Sequence, residues 1–292
     1  LPKSILLYRQ LLQWMGGIGI IVVAVAVLPM LGIGGMQLYR AESPGPVKDN
    51  KLVPRLAETA KALWYIYLTL TIVCALAYWI VGMNLFDAIS HSFTTVAIGG
   101  FSTHDQSMGY FDNSAVEIVA IIFMFIAGIN FALHFTAWQK RNISHYVKDP
   151  EFKFYALILT TVSVVTVVVL YFSEIYTSAS DALIKGVFQV VSFATTTGFA
   201  TADFNSWPLF LPYMLLYAAI IGACAGSTGG GMKVIRILLI FKQGFREVQR
   251  LIHPKAVIPI KLGKNPVSDR IIESVWGFFA VYVMAYMAML LA

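Results

Sequence analysis

The chain has 292 residues, 58% of them hydrophobic and only 12% charged, with a mean hydropathy of +0.74. A soluble domain carries about 25% charged residues, so this composition excludes an ordinary soluble fold and names lipid as the solvent. The net charge of +6 would suggest a nucleic-acid partner in a soluble protein. In a membrane protein the placement of Lys and Arg is what informs, because they stay on the cytoplasmic side, and no nucleic acid is expected.

Six or seven apolar runs of about 20 residues can be marked, each long enough to span a bilayer. The chain opens LPKSILLYRQ, without a cleavage-site pattern, and reads as an internal piece of a longer protein. Residues 11–31 form the first span, ended by Pro29 and the Gly32, Gly34, Gly35 cluster. Residues 41–60 are polar, with Pro44, Pro46 and Pro54, and read as a connection. Residues 62–82 are the second span, with Trp64, Tyr65, Tyr67, Tyr78 and Trp79 near its two ends, as interfacial aromatics are. Residues 84–96 are too short to cross and read as a re-entrant half-helix, with Asp87 at the end where a carboxylate suits the dipole. Residues 114–137 return to the inner side.

The order then repeats. Residues 153–173 are a Val/Leu-rich span, 181–194 a second half-helix, and Pro208 opens a segment running to about residue 241. Its middle, Gly222-Ala223-Cys224-Ala225-Gly226-Ser227-Thr228-Gly229-Gly230-Gly231, holds five glycines in ten residues. At about 1 kcal/mol of helix propensity lost per glycine, a continuous helix is not expected. Irregular backbone at membrane depth is tolerated only where it is buried in protein or lines water. Residues 242–270 are basic, with Pro254, Pro259 and Pro266, and a last span begins at residue 271.

Eighteen of the 21 Lys and Arg residues fall in three alternating connections, at 32–61, 138–153 and 233–270, which places those connections inside. The opposite face carries Asp87, Asp105, Asp112, Glu117, Glu174, Asp181 and Asp203, with Lys185 as the only base in its two loops. An acidic outer mouth would concentrate cations.

The stretch VVSFATTTGFATAD at 190–203 lies between apolar segments on that outer side. Gly198-Phe199-Ala200-Thr201-Ala202-Asp203 repeats Gly100-Phe101-Ser102-Thr103-His104-Asp105 at an offset of 98, and a Thr pair precedes each copy. A dehydrated cation must be given oxygens in place of water. Backbone carbonyls supply them without net charge, Gly lets the loop turn them inwards, and Thr adds hydroxyls.

The two copies, the hairpin unit around each, and the segment GACAGSTGGGMKVIR together resemble the Trk/Ktr/HKT superfamily of potassium transporters over the whole chain. That resemblance implies an all-α integral membrane fold of parallel helix–pore-loop–helix repeats, potassium-channel-like, with a broken second helix in the third repeat. Residues 1–40 would be the second helix of repeat one, 61–138 repeat two, 150–245 repeat three and 268–292 the first helix of repeat four, joined by cytoplasmic connections at 41–60, 139–149 and 246–267. The pore loops of repeats one and four have no counterpart here. The selectivity filter would be lined by Val96, Ala97, Ile98, Gly99, Gly100 and Phe101 and by Thr195, Thr196, Thr197, Gly198 and Phe199. Gly100 and Gly198 would be the turn glycines, with Gly99 leaving the first register open by one. Residues 222–231 would be an intramembrane gate; close helix packing through small residues is the other reading. The segment also echoes a phosphate loop, but that motif needs Lys directly after its last Gly and then Ser or Thr, following a strand, and the sequence has none of these.

Lys233 and Arg236 either meet the pore or mark the inner interface. Asn130 and His134, four apart on the span 114–137, are either functional or a packing pair. No metal-ligand spacing and no nucleophile with a base is found, so no enzymatic activity is expected. The resemblance further implies inward potassium transport across a bacterial inner (plasma) membrane, with pore loops outside and basic loops in the cytoplasm. It implies a homodimer and a cytosolic TrkA-like nucleotide-binding regulatory subunit. No cofactor is expected in the chain itself: potassium is the transported ion, and nucleotide belongs to the partner. The alternative is a proton- or sodium-coupled potassium symporter with discontinuous helices.

Overall fold

The structure is a computed structural model that describes residues 1–22, 56–208 and 210–291. The second half of the expected first span, its glycine cluster and most of the 41–60 connection lie outside the described residues.

In chain order the helices are α1 (Lys3–Val22), α2 (Leu56–Ile80), α3 (Leu85–Val96), α4 (Ser114–Ala127), α5 (Phe131–Gln139), α6 (Ser144–Lys148), α7 (Pro150–Phe172), α8 (Ala179–Ala194), α9 (Phe210–Ile221), α10 (Val234–Ile252) and α11 (Asp269–Leu291). A two-residue antiparallel pair, β1 (Lys261–Leu262) with β2 (Asn265–Pro266), precedes α11. Among the described residues three unbroken helices are long and apolar enough to cross a membrane: Ala60–Ile80, Pro150–Phe172 and Asp269–Met289.

The sequence suggests six or seven apolar runs; of these, the first lies partly outside the described residues and two others are broken. The run 114–137 is not one straight helix: α4 and α5 meet at 89°. The break falls at Gly128, Ile129 and Asn130, and the Asn130 side chain caps α5 by accepting from the Ala132 N–H at 2.9 Å. Asn130 is thus the N-cap of α5 and His134 lies one turn on, its backbone N–H donating to Asn130 O at 3.2 Å. His134 lies within 2.7 Å of the Tyr146 hydroxyl and 3.0 Å of the Ile126 carbonyl, so its ring ties α5 to α6 and to the end of α4. The second break is the glycine stretch: α9 stops at Ile221 and α10 starts at Val234.

The short helices form where expected and for local reasons. Asn84 caps α3, accepting from the Asp87 N–H at 3.0 Å, and Ser178 caps α8, accepting from the Ser180 N–H at 3.2 Å. α3 packs against α1 and α2, and α8 against α7, α4 and α9. Cys74 and Cys224 are buried free thiols.

Among the described residues an ion pair ties α8 to α4. Lys185 on α8 donates to Glu117 on α4 at 2.9 Å, with the Glu117 side chain 3% exposed. Breaking a buried pair by removing one partner costs about 3–5 kcal/mol, because the other charge is stranded. Lys185→Met is expected to lower the thermal midpoint of the detergent-solubilised protein, and adding Glu117→Gln to recover much of the loss. An unchanged midpoint in the single variant would mean that water reaches Glu117.

Candidate functional site

α3 and α8 end in the same way. Their C-caps are Ala97 (φ −75°, ψ −10°) and Thr195 (φ −80°, ψ −9°), and the next residues, Ile98 and Thr196, are left-handed at φ 54° and 65°. Two residues on, Gly100 and Gly198 are left-handed again at 74° and 86°. The hydrogen bonds repeat as well. Gly99 N–H donates to Thr94 O and Thr197 N–H to Ser192 O, both at 2.8 Å. The backbone thus carries the 98-residue offset through both loops and aligns Gly100, not Gly99, with Gly198.

Ile98 and Thr196 are β-branched, the side-chain class least suited to positive φ. Such conformations cost about 1–3 kcal/mol and persist where the surroundings enforce them. Here they reverse the chain direction straight after a helix end, so the peptide planes turn abruptly. Among the described residues no hydrogen bond is accepted by the carbonyls of Ile98, Gly99, Gly100, Thr196, Thr197 or Gly198. The threonine hydroxyls behave differently. Thr195 Oγ1 donates to Val191 O and lies 2.7 Å from Thr197 Oγ1, and Thr196 Oγ1 accepts from the Gly230 N–H at 2.6 Å. The hydroxyls expected to supplement the lining are turned into protein, and the backbone oxygens are what remains.

The loops touch. A Cβ added at Gly100 would overlap the Thr197 carbonyl, whereas one added at Gly198 meets nothing within 4 Å among the described residues. Val96, Ala97, Ile98 and Phe199 are buried; Phe101 is exposed. Above the pair lies a cavity of about 470 Å³ whose wall includes Gly100, Gly198, Thr103, Asp105 and Arg9. Arg9 is a residue the sequence reading left outside the mouth. It comes from α1, donates to Ser102 O and lies 5.2 Å from the centre of the Phe101 ring. α1 also braces the first loop through Gln13, which accepts from Thr94 Oγ1 at 2.8 Å.

Beneath the loops lies the glycine-rich break. Gly222, Gly226 and Gly231 are left-handed, and a Cβ on Gly222 or Gly231 would collide with the other strand of the same loop. Thr228 Oγ1 donates to Val96 O at 3.0 Å, the end of α3, while Gly230 N–H reaches Thr196. Ala225 N–H donates to the buried Glu151 carboxylate at 2.5 Å, and Cys224 N–H to Gly128 O at 3.0 Å. Phe131 N–H donates to Gly226 O at 2.9 Å, so the two helix breaks interlock. Lys233 Nζ donates to Gly229 O, and the Arg236 guanidinium lies 4.0 Å from the Phe278 ring centre. Lys233 belongs to the loop; Arg236 packs on α11.

With that geometry in view, a family model described as "TrkH: Cation transport protein" matches residues 1–292. The chain belongs to the TrkH family of cation transport proteins. This TrkH-family chain is 59% identical over 290 residues to the Trk system potassium uptake protein TrkH of Halomonas elongata and 57% identical over 292 residues to that of Escherichia coli K12. These alignments cover 99% and 100% of the chain and 60% of each relative. The crystal structure of the potassium transporter TrkH from Vibrio parahaemolyticus superposes with a TM-score of 0.89 at 53% identity, covering 100% of this chain and 59% of that one. The TrkH-family sequence therefore spans about 60% of the length of the relatives it matches.

Proposed function

We propose that the chain supplies two adjoining quarters of a potassium-selective pore in a bacterial plasma membrane, with a gate beneath them. The observation that carries this reading is the pair of loops 96–101 and 195–199. They share one backbone conformation at an offset of 98, keep the carbonyls of residues 98–100 and 196–198 without a hydrogen-bond partner among the described residues, and abut where Gly100 meets Thr197. Carbonyls held this way can replace the hydration shell of a cation. Residues 222–231 close the space below, tied to both loop bases through Thr228 and Gly230.

On this reading residues 61–138 and 150–245 are repeats two and three, residues 1–40 and 268–292 belong to repeats one and four, and the missing quarters lie in the parts of the relatives this chain does not match. The loops face outward and the basic connections inward. The relatives' names, Trk system potassium uptake proteins, support potassium as the ion. A homodimer and a nucleotide-binding regulatory subunit on the inner side complete the assembly.

The test is uptake by the full-length protein in a bacterium lacking its own potassium transporters. Growth at micromolar potassium, with sodium a weak competitor, is expected. Equal transport of both ions would sink the filter assignment. Single-channel recording then separates the pore from the symport alternative: unitary current steps support a pore, and slow flux strictly coupled to protons or sodium supports a symporter.

A further inference from the structure

The two loops share a backbone but not a support. Behind the exit of the first loop, Asp87 on α3 accepts from Thr103 Oγ1 at 2.6 Å and from Asn84 Nδ2 at 2.6 Å, and lies 3.1 Å from His104 Nε2. One helical turn on, His91 Nε2 is 2.8 Å from Ser102 Oγ, which also accepts from the His104 N–H at 3.1 Å. The His104 ring stacks on Tyr110 at 3.5 Å. Asp87, His91 and Ser102 are buried. A carboxylate can only accept, and here donors from both sides of the loop converge on it.

At the same offset of 98 the second loop has neither the carboxylate nor either imidazole. Lys185 stands for Asp87, Gln189 for His91, Ala200 for Ser102 and Ala202 for His104. Thr201 remains in the place of Thr103, and its buried hydroxyl has no partner. Lys185 bonds Glu117 instead of the loop. The second exit is held by Gln189, whose Nε2 donates to Ala202 O at 3.0 Å, and it also leans on the first: Gly109 N–H donates to Ala200 O at 3.1 Å, and Ser107 Oγ accepts from the Ala200 N–H at 3.2 Å. The segment that follows the strap thus props the other loop.

We infer that Asp87, acting through Thr103 and His104, is a positioning residue that fixes the outer end of both loops and thereby sets their discrimination between potassium and sodium. The inference rests on the filter reading above. Asp87 touches no transported ion; it holds the backbone that does. Losing bonds to a buried charged acceptor frees residues 102–104, and the carbonyls next to Gly100 lose their fixed spacing.

The test compares Asp87→Asn, Asp87→Glu, Thr103→Val and Gly100→Ala in the full-length transporter at matched membrane abundance. Asp87→Asn is expected to raise the KM for potassium and strengthen sodium competition by about tenfold, the scale of a lost hydrogen bond to a charged group. Its maximal rate should stay within about twofold, since the gate is untouched. Asp87→Glu should restore much of the discrimination, and Thr103→Val should show a smaller loss of the same kind. If Gly100→Ala leaves discrimination intact, the filter reading itself fails. If Gly100→Ala alters it while Asp87→Asn changes neither KM nor sodium competition, the strap is overturned and the filter stands. Should Asp87→Asn not accumulate, Thr103→Val decides, because it leaves the carboxylate two donors; unchanged sodium competition there overturns the strap.

Discussion

Gly100→Ala is expected to reduce the preference of full-length uptake for potassium over sodium by more than about tenfold, or about 1.4 kcal/mol, and to do more harm than Gly198→Ala. Both glycines are left-handed, so alanine at either costs about 1–2 kcal/mol in backbone conformation. They differ in what surrounds them. The added methyl at Gly100 would overlap the Thr197 carbonyl, a backbone atom with no rotamer to escape into, while the methyl at Gly198 enters open space among the described residues. Either the loops part or the Thr197 peptide turns, and in both cases a free carbonyl leaves its place. The measurement is sodium inhibition of potassium uptake, with immunoblotting to confirm equal membrane abundance. Equal potassium preference in Gly100→Ala and the parent would overturn the filter reading. A worse defect in Gly198→Ala would mean that a segment beyond this chain packs on Gly198 more tightly than Thr197 packs on Gly100.

This ranking could not be read from the sequence, where Gly198, with three threonines before it, was the clearer of the two. The repeat at offset 98, the half-helices and the failure of the 222–231 stretch to be helical were all legible, because glycine spacing, caps and run length act locally. The register at Gly99 and Gly100 was not: two glycines in a row satisfy the same pattern, and only the left-handed φ at Ile98 and Gly100 decides between them. The break at Gly128, Ile129 and Asn130 was hidden because one glycine in an apolar run costs too little to announce a bend. Its cause is tertiary: Gly128 and Phe131 exchange backbone hydrogen bonds with Cys224 and Gly226, nearly 100 residues away. Arg9 was hidden for the same kind of reason. A base near the start of an apolar helix signals nothing until α1 is packed against α3 and its guanidinium is found at Ser102.

The glycine-rich stretch carries the second large effect. Deleting residues 227–230 is expected to raise potassium flux without the regulatory partner by about tenfold or more. The choice of residues follows from the bonds. Gly226 O holds Phe131, and Gly231 packs on Gly222, so removing either would disturb the helix breaks themselves. Between them, Thr228 and Gly230 make the contacts with the loop bases at Val96 and Thr196, and Gly229 sits under the Thr195 carbonyl. On the proposed gate reading, these are the four residues that block the path. Thr228→Val is the gentler probe: it keeps the volume and removes the bond to Val96 O, worth about 1 kcal/mol, so it should raise partner-independent flux roughly fivefold. A gate and a packing element respond in opposite ways. Loosening a gate raises flux while potassium preference persists, because the loops above are unaltered. Loosening a packing element lowers abundance and discrimination together. Flux that stays fully dependent on the partner in both variants would assign residues 222–231 to packing, and the closed path would then have to be sought at Lys233, whose ammonium already reaches the Gly229 carbonyl.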